Sequence, residues 1–403
     1  MSDILSGNFR ESNRLRVLEL LLRHPARSRA DVGRRLGLSR ATVTTVLSEL
    51  ERAGMVEQQS DEQGDAKRRA IGRPPLQVSL APSAAYAVGL DFGHRHIRAA
   101  VCDLGGAIVA QRWAESEVDE RPSASFDQAR SLAVAALDDA GVDPSRVIGA
   151  GVGLPAPVDA VTGTVYAEGI LPSWAGIVPA VELEARLGMP VRVENDANAG
   201  AIGEHLFGAG RGVQDMIYVQ LAAGIGVGMI LGGRPFRGAV GVAGEIGHTT
   251  AVEDGAICRC GNRGCLETVA SSGAVADLLE RSRRGSMTTA EMLECLRAGD
   301  RGVARALADA GRAVGVALTY TVNLLNPSLV IIGGELSEAG DVLLDPIRAA
   351  IAQSAVPPAA AASPPGSSGR APRCSARRRP SSRGRPRPSP RGSPPDLART
   401  GTL

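Results

Sequence analysis

Residues 244–267 read GEIGHTTAVEDGAICRCGNRGCLE, and this stretch decides how the rest of the chain is interpreted. His248 is followed by three closely spaced cysteines, Cys258, Cys260 and Cys265. One imidazole and three thiolates form the ligand set of a closed, tetrahedral zinc site. The alternative is a set of disulfides or unlinked thiols, but the chain shows no secretory signal and disulfides are rare in the cytosol. The spacing therefore predicts a structural Zn²⁺ bound by these four residues.

The residues around these ligands resemble a known family. GEIGH followed by CxCGxxGCxE is similar to the ROK family, which contains bacterial repressors, open reading frames of unknown role and sugar kinases. The likeness runs from about residue 10 to about residue 350. It implies an α/β protein with a two-lobed, actin-like ATPase fold that carries the zinc site. The N-terminal segment and the nucleotide loops indicate whether the chain resembles the repressors or the kinases of this family.

Composition and charge limit the classes of protein to consider. A chain of 403 residues with 44% hydrophobic side chains is long enough for two or three domains. No apolar run approaches the length of a membrane span, which predicts a cytoplasmic protein with no membrane partner. The net charge is +4 in residues 1–80, about −11 in the middle and +9 in residues 354–403. Any nucleic-acid contact is therefore expected at the ends of the chain.

The N-terminal segment has the pattern of a winged helix-turn-helix. Apolar residues repeat at helical spacing over residues 11–24, a second helix is predicted over residues 28–36, and Ser39 stands as the N-cap of a third. Strands predicted from residue 55 and over residues 77–80 would flank a charged wing. The alternative is a small helical bundle used for dimerisation. The position of this segment ahead of a ROK-like body is the layout of the family's repressors, whereas its kinases lack the segment.

A winged helix-turn-helix contacts DNA through its recognition helix and its wing. The recognition helix offers side chains to a groove near its N-terminus, and basic residues of the wing reach phosphates or the minor groove. The residues predicted to contact operator DNA are Ser39, Arg40, Thr42, Thr44, Thr45, Lys67, Arg68 and Arg69. The resemblance thus indicates the transcriptional-regulator branch, which contains the xylose and N-acetylglucosamine repressors.

The central body reads as alternating strands and helices, with two strands joined by a turn at residues 87–103 and a further strand from residue 148. A long apolar-striped helix is predicted over residues 311–326, where Asn326-Pro327 closes it. Ligands are expected in the cleft between two lobes. The resemblance implies a set of sugar-contacting residues formed by Asn195, Asp196, Glu245, His248 and Glu267. The aspartate of the family's kinases that matches Asp196 is their general base, although Asp196 can also serve as a helix N-cap. His248 is expected to bind zinc with one ring nitrogen and face the sugar with the other, so the metal orients the pocket.

The nucleotide loops separate the two branches. The family's kinases carry a DxGGTK-like turn and an LGTGxGxG loop, whereas this chain has DFGHRH at residues 91–96 and LAAGIG at residues 221–226. A third contact loop reads IGGE, and the carboxylate of Glu335 would repel a phosphate. These departures predict that ATP does not bind and that no residue is catalytic. The alternative is that Arg95 supplies a new phosphate contact.

Four regions follow from this reading. They are a winged helix-turn-helix domain at 1–80, a first lobe at 81–195, a second lobe with the zinc motif at 196–353, and a disordered tail rich in Pro, Arg and Ser at 354–403. The family normally ends with a strand and a helix, and neither is evident in the tail. A frameshift near Ala360 is one hypothesis, which resequencing of the gene tests. A basic tail that adds non-specific DNA affinity is the other.

The sequence therefore predicts a sugar-responsive DNA-binding regulator, expected to be a repressor of genes for carbohydrate uptake or catabolism and to act as a homodimer or homotetramer. An ATP-dependent sugar kinase is the competing interpretation, which Asp196 permits and the altered nucleotide loops oppose. A third is a DNA-binding protein whose body is only a dimerisation scaffold, and the retained sugar-site residues count against it.

Overall fold

The computed structural model describes residues 2–24, 27–59, 76–159, 161–166, 169–283, 285–356 and 365–366. None of the helices in these ranges has the length and apolar character that crossing a membrane requires. The predicted wing contacts Lys67, Arg68 and Arg69 lie outside the described residues, as does most of the tail, so the expectations for them stay predictions.

The N-terminal domain is a winged helix-turn-helix, as predicted. Its described elements are α1 (Ser2–Arg23), β1 (Arg27–Ser28), α2 (Arg29–Leu36), α3 (Arg40–Arg52), β2 (Val56–Gln59) and β3 (Gln77–Leu80). β3 lies between β1 and β2 and is antiparallel to both. Val17, Leu21, Val43 and Leu47 form the centre of the domain's small apolar core. The side-chain oxygen of Ser39 accepts a hydrogen bond from the backbone N–H of Thr42, which caps α3 as predicted.

The first lobe is a five-stranded sheet covered by two helices. Its elements are β4 (Tyr86–Phe92), β5 (His96–Asp103), β6 (Ile108–Glu115), α4 (Pro122–Ala140), β7 (Val147–Leu154), α5 (Pro179–Leu187) and β8 (Val191–Asn195). The strand order is β6-β5-β4-β7-β8, with β4, β7 and β8 parallel. Phe92, Phe126 and Trp174 meet edge to face in its core, and Trp174 Nε1 donates to the carbonyl oxygen of Val118 at 2.8 Å.

The second lobe contains a second five-stranded sheet and most of the remaining helices. Its elements are α6 (Asp196–Phe207), β9 (Met216–Leu221), β10 (Ile225–Leu231), β11 (Arg234–Phe236), α7 (Glu267–Ala270), α8 (Ser272–Arg283), α9 (Thr289–Arg297), α10 (Arg301–Leu325), β12 (Leu329–Gly333), α11 (Asp341–Ser354) and β13 (Pro365–Gly366). The strand order is β11-β10-β9-β12-β13. α6 packs on β9 and β10, and α10 packs on α11.

Two elements of the second lobe differ from the sequence analysis. The long helix expected over residues 311–326 begins ten residues earlier, because the side chain of Asp300 accepts hydrogen bonds from the backbone N–H groups of Gly302 and Val303. It ends at the predicted place, where Asn326 adopts a left-handed conformation. No strand was expected after Val356, yet Pro365–Gly366 pairs with β12 in parallel.

Candidate metal cluster, ligand cleft and DNA-binding surface

The four predicted metal ligands converge in a loop of the second lobe. The candidate ligand atoms of His248, Cys258, Cys260 and Cys265 all lie within 4.8 Å of one another. Gly264 makes this possible, because its φ is +68° and a Cβ there would lie 1.6 Å from the carbonyl oxygen of Val252. Only glycine is compatible with this turn.

The spacing of the donor atoms fits a tetrahedral zinc site. Cys260 Sγ lies 3.7 Å from Cys265 Sγ, and Cys258 Sγ lies 3.6 Å from His248 Nδ1. These separations exceed the S–S bond of about 2 Å in a disulfide. A tetrahedron with Zn–S bonds of about 2.3 Å has edges of about 3.8 Å, close to both values. Burial raises the pKa of the Cys258 thiol and raises that of Cys265 to about 12, so a divalent cation would have to displace these protons.

The cleft between the lobes holds the predicted sugar-site carboxylates. It has a volume of about 3250 Å³, and Asp196, Glu245, His248 and Glu267 line it. Burial, aided by the charge of Asp91, raises the pKa of Asp196 to about 7. Burial and the neighbouring carboxylates likewise raise the pKa of Glu245 to about 7. These are acceptor groups in a partly desolvated pocket, suited to a ligand that presents hydroxyl groups.

The two ring nitrogens of His248 face different surroundings. Nδ1 points to Cys258 in the metal cluster, whereas Nε2 lies 3.9 Å from a carboxylate oxygen of Glu245 in the cleft. The imidazole therefore joins the metal cluster to the ligand cleft. This is the arrangement in which a bound metal fixes the ring that a ligand meets.

Asn195 occupies the N-cap that the sequence analysis considered for Asp196. Its Oδ1 accepts from the backbone N–H groups of Ala197 and Asn198 at 3.0 and 3.2 Å, and its Nδ2 donates to the carbonyl oxygen of Ala156. Asn195 is buried and also lines the cleft. Asp196 lines the cleft beside it, and one of its carboxylate oxygens accepts from the backbone N–H of Ala197 at 2.7 Å.

The turn between β4 and β5 holds a histidine on the expected nucleotide side of the cleft. His94 Nδ1 lies 2.8 Å from Asp119 Oδ1, and both residues line the cleft. Arg95 is exposed beside it. Glu335 lines the same cleft at the end of β12. Two of the three altered nucleotide loops thus present an imidazole and a carboxylate to the cleft.

Two arginines of the cleft were not identified from the sequence. Arg259, between two cysteines of the metal motif, places Nε 3.1 Å from Glu267 Oε1. Arg237 of the second lobe donates from Nε to Glu194 Oε2 of the first lobe at 2.6 Å. The position of Arg259 inside the metal motif is a signal that sequence reasoning overlooked. No signal in the sequence pairs Arg237 with Glu194, since 43 residues separate them.

The predicted recognition helix α3 exposes one face. Arg40, Thr44 and Thr45 are exposed, while Val43, Val46, Leu47 and Leu50 are buried on the other side. The hydroxyl groups of Ser39 and Thr42 hydrogen-bond each other at 2.8 Å as part of the N-cap. The exposed face at the start of α3 fits the surface that a recognition helix turns to DNA.

The end of α1 contacts the second lobe. Arg23 Nη1 donates to the carbonyl oxygen of Gly233 at 2.9 Å, in the turn between β10 and β11. His205, near the end of α6, is buried, and its pKa is lowered by burial and by the charge of Arg23. α6 starts in the cleft at Asp196, and β10 starts next to Gly224 in the cleft. Two elements that begin at the ligand cleft therefore end beside the DNA-binding domain.

Comparisons with known proteins match both parts of the chain. The profile of the ROK family matches residues 87–364, and that of the MarR family matches residues 11–68. The xylose repressor of Caldicellulosiruptor bescii is 29% identical over 357 residues, which cover 85% of this chain and 88% of that protein.

Of two solved structures, one matches nearly the whole chain and the other matches a smaller part of it. A ROK family transcriptional regulator, described as a homologue of the E. coli MLC protein, superposes with a TM-score of 0.69 at 25% identity and covers 89% of this chain and 91% of its own. A ROK family glucokinase from Streptomyces griseus, in complex with glucose and AMPPNP, superposes with a TM-score of 0.62 at 31% identity and covers 68% and 90%. The regulators match more of this chain than the glucokinase does.

Proposed function

Since this chain belongs to the ROK family, we propose that it is a transcriptional repressor whose binding to operator DNA is controlled by a sugar. One observation carries this proposal. A MarR-like winged helix-turn-helix is joined, in the same chain, to a cleft lined by Asp196, Glu245 and Glu267. A regulated repressor needs both parts, whereas a sugar kinase needs only the cleft.

The chain is a regulator and not an enzyme. The relatives and structures that match most of it are a xylose repressor and a ROK transcriptional regulator. A kinase must hold nucleotide phosphates on glycine-rich turns whose amide groups face the anion. Here His94 and Glu335 stand on those turns. Asp196 is the position of the general base in the competing sugar-kinase interpretation.

The effector is a sugar bound between the lobes. Its hydroxyl groups would donate to the carboxylates of Asp196, Glu245 and Glu267 and would meet Nε2 of His248. Asn195 would contribute by fixing the start of α6 under the ligand. The acceptor-rich lining supports a ligand with many donor hydroxyls over an anionic one.

The metal is Zn²⁺, held by His248, Cys258, Cys260 and Cys265 in a structural site. The donor set and its spacing support this choice, since three sulfurs and one nitrogen suit zinc better than hard cations. When bound, the ion would neutralise the thiolates and fix the loop that carries Arg259 next to Glu267. The residues of the chain, and not the ion, would contact the sugar.

The sugar would act on the DNA-binding domain by closing the cleft. The first residue of α6, Asp196, lies at the cleft, and the last turn of α6 lies near Arg23. A shift at Asp196 would therefore be transmitted along α6 toward α1. In a homodimer or homotetramer, a change in the placement of two DNA-binding domains prevents both from fitting half-sites a fixed number of helical turns apart. The operator contacts would come from Ser39, Arg40, Thr42, Thr44 and Thr45, with the wing residues Lys67, Arg68 and Arg69.

The proposed domain limits lie at the end of β3, at the end of β8 and close to the end of α11. The DNA-binding domain is placed at 1–80, the first lobe at 81–195 and the second lobe at 196–353, with the tail after it. A protein that binds operator DNA acts where the chromosome is, so its place is the cytoplasm. The genes it controls would serve carbohydrate uptake or catabolism.

Isothermal calorimetry against a panel of hexoses, pentoses and N-acetylhexosamines, with and without ATP-Mg, tests this function. We expect one sugar to bind without ATP and to leave no phosphorylated product. Operator binding with and without that sugar then decides whether it is an inducer or a co-repressor. Phosphorylated sugar that appears with ATP and disappears in Asp196→Asn would contradict the proposal and identify a kinase.

A further inference from the structure

The pairing of His94 with Asp119 fixes an imidazole at the edge of the ligand cleft. His94 Nδ1 lies 2.8 and 3.0 Å from the two carboxylate oxygens of Asp119, and the His94 side chain is only 12% exposed. A carboxylate this close accepts a hydrogen bond from the N–H group at Nδ1. This contact sets the tautomer and the orientation of the ring. Nε2 is then the nitrogen left to face a ligand.

Nε2 of His94 reaches across the cleft to the opposite lobe. A Cβ placed on Gly224 would lie 3.9 Å from this nitrogen and 3.3 Å from Glu267 Oε2. His94 comes from the first lobe, whereas Gly224 and Glu267 belong to the second. Asp196 lines the same cleft. The turn at Gly224 is therefore bordered by His94 of the first lobe and Glu267 of the second.

We infer that His94 is an effector-binding residue, whose Nε2 hydrogen-bonds the sugar hydroxyl that lies next to the turn at Gly224, and that Asp119 is its positioning residue. This inference rests on the proposed sugar-binding function. A hydroxyl suits the space because it can donate to a carboxylate and also bond to an imidazole nitrogen. Removal of a single hydrogen bond of this kind weakens binding by roughly tenfold.

The same surroundings select against a phosphorylated sugar. A phosphate next to Gly224 would meet the carboxylate of Glu267, and the nearby Arg259 is already paired with that carboxylate. His94 is likewise paired with Asp119. The effector is therefore an unphosphorylated sugar with a free hydroxyl at this position.

The test is a cycle of protein variants and deoxy sugars, measured by calorimetry. The probes are D-glucose, D-xylose, the monodeoxy analogues of whichever binds more tightly, and glucose 6-phosphate. The variants are His94→Ala, His94→Gln and Asp119→Asn, and the matched control is His96→Gln. His96 is the first residue of β5, directly after the turn, and its Nε2 lies 3.7 Å from a carboxylate oxygen of Asp91. We expect His94→Ala to lose about tenfold in affinity for the parent sugar, His94→Gln and Asp119→Asn to lose less, and His96→Gln to bind as the wild type does.

The deoxy analogues separate a direct contact from a structural role. One analogue should bind wild-type protein about tenfold more weakly than its parent and should bind His94→Ala with no further loss. If His94→Ala weakens every analogue by the same factor, His94 only shapes the turn and the inference is wrong. Tighter binding of glucose 6-phosphate than of glucose would also overturn it. If neither glucose nor xylose binds wild-type protein, the same cycle is run with the sugar that binds in the wider panel of hexoses, pentoses and N-acetylhexosamines. Wild-type protein that binds no sugar of that panel would contradict the proposed function itself, which is distinct from a failure confined to the His94 variants.

Discussion

Arg23, in the last turn of α1, donates a hydrogen bond from Nη1 to the carbonyl oxygen of Gly233 at 2.9 Å, and this contact joins the DNA-binding domain to the second lobe. We predict that Arg23→Ala separates sugar binding from DNA release. Without the guanidinium, a shift of β10 or α6 no longer reaches α1, so operator affinity should become insensitive to the sugar. Sugar affinity should stay within about threefold, because Arg23 lies away from the cleft. Fluorescence anisotropy of labelled operator, with and without sugar, measures the effect.

Arg16→Ala is the matched control for this prediction. Arg16 is on the same helix and also donates to a backbone carbonyl, that of Leu36, but within the DNA-binding domain. The Arg16→Ala variant should keep the wild-type change in operator affinity when sugar is added. Equal loss of the response in both variants would mean that the stability of α1, and not its contact with Gly233, governs the coupling.

Loss of the metal should destabilise the second lobe and weaken sugar binding. Cys265 is fully buried, and Cys265→Ser removes one of the four donors. For a free metal concentration a thousandfold above its Kd, the lost binding corresponds to about 4 kcal/mol of unfolding free energy. Thermal unfolding with and without a chelator, together with the zinc content per chain, measures this.

Cys295→Ser provides the comparison for the metal prediction. Cys295 is a half-buried cysteine outside the cluster, so its replacement should leave the zinc content unchanged. Wild-type protein whose unfolding temperature and sugar affinity do not respond to a chelator would contradict a structural metal site.

Asp196 should make both stability and sugar binding depend on pH. Its pKa in the folded protein is raised to about 7 by burial, above the ordinary value of 3.8. The folded state then holds more protons than the unfolded state between these values, so the unfolding free energy falls as pH rises from about 4 to about 7. Asp196→Asn should remove this fall and be about 1–3 kcal/mol more stable than wild type at pH 8, with little difference at pH 4.

Sugar affinity should change with pH in the opposite direction. A carboxylate accepts hydrogen bonds from hydroxyls better than a carboxylic acid does, so binding should strengthen as pH rises through 7. Urea unfolding at pH 4 and 8 and calorimetry over the same range check both statements. A flat stability difference between wild type and Asp196→Asn would show that the carboxyl titrates in its ordinary range.

Arg40 should contribute directly to operator binding. It is exposed at the first turn of α3, where its guanidinium is free of the N-cap that Ser39 and Thr42 form. Arg40→Ala should weaken operator binding by about 1–3 kcal/mol. Ser39→Ala should instead lower the stability of the domain by about 1 kcal/mol through loss of the cap. Gel-shift titrations, with circular dichroism to follow folding, distinguish the two.

Arg52→Ala, at the far end of α3, is the control for Arg40. It should bind operator nearly as wild type does, since recognition helices contact bases through their N-terminal residues. A larger loss for Arg52→Ala than for Arg40→Ala would mean that α3 lies in the groove in another orientation.

Local patterns predicted much of the fold. The caps at Ser39 and Asn326, the recognition helix and the strands of the first lobe follow from apolar periodicity and turn residues within a few positions of each other. α10 starts ten residues before the expected position, although the cap at Asp300 and the apolar stripe of Val303, Ala306, Leu307 and Ala310 are both visible in the sequence. β1 and β13 have two residues each, too few for any periodicity, and only pairing with β3 and β12 defines them.

Part of the candidate site was predictable from the sequence and part was not. The four candidate metal ligands lie close together along the chain, so their spacing predicted their convergence in space. The partners of the cleft residues come from distant positions. Asp119 is 25 residues from His94, and Glu194 is 43 residues from Arg237. Such pairs depend on how the lobes pack, which a single sequence does not encode in any local signal.

The first lobe contains both tryptophans of the chain in opposite surroundings. Trp174 is fully buried against Phe92 and Phe126, whereas Trp113 on β6 is 64% exposed. Soluble quenchers such as iodide should therefore quench the fluorescence of Trp113 and leave the fluorescence of Trp174 unquenched. With Trp113→Phe, the remaining emission comes from a single buried indole beside the loop at Ile170 that lines the cleft. The protein thus carries its own optical reporter of lobe movement, without any attached dye.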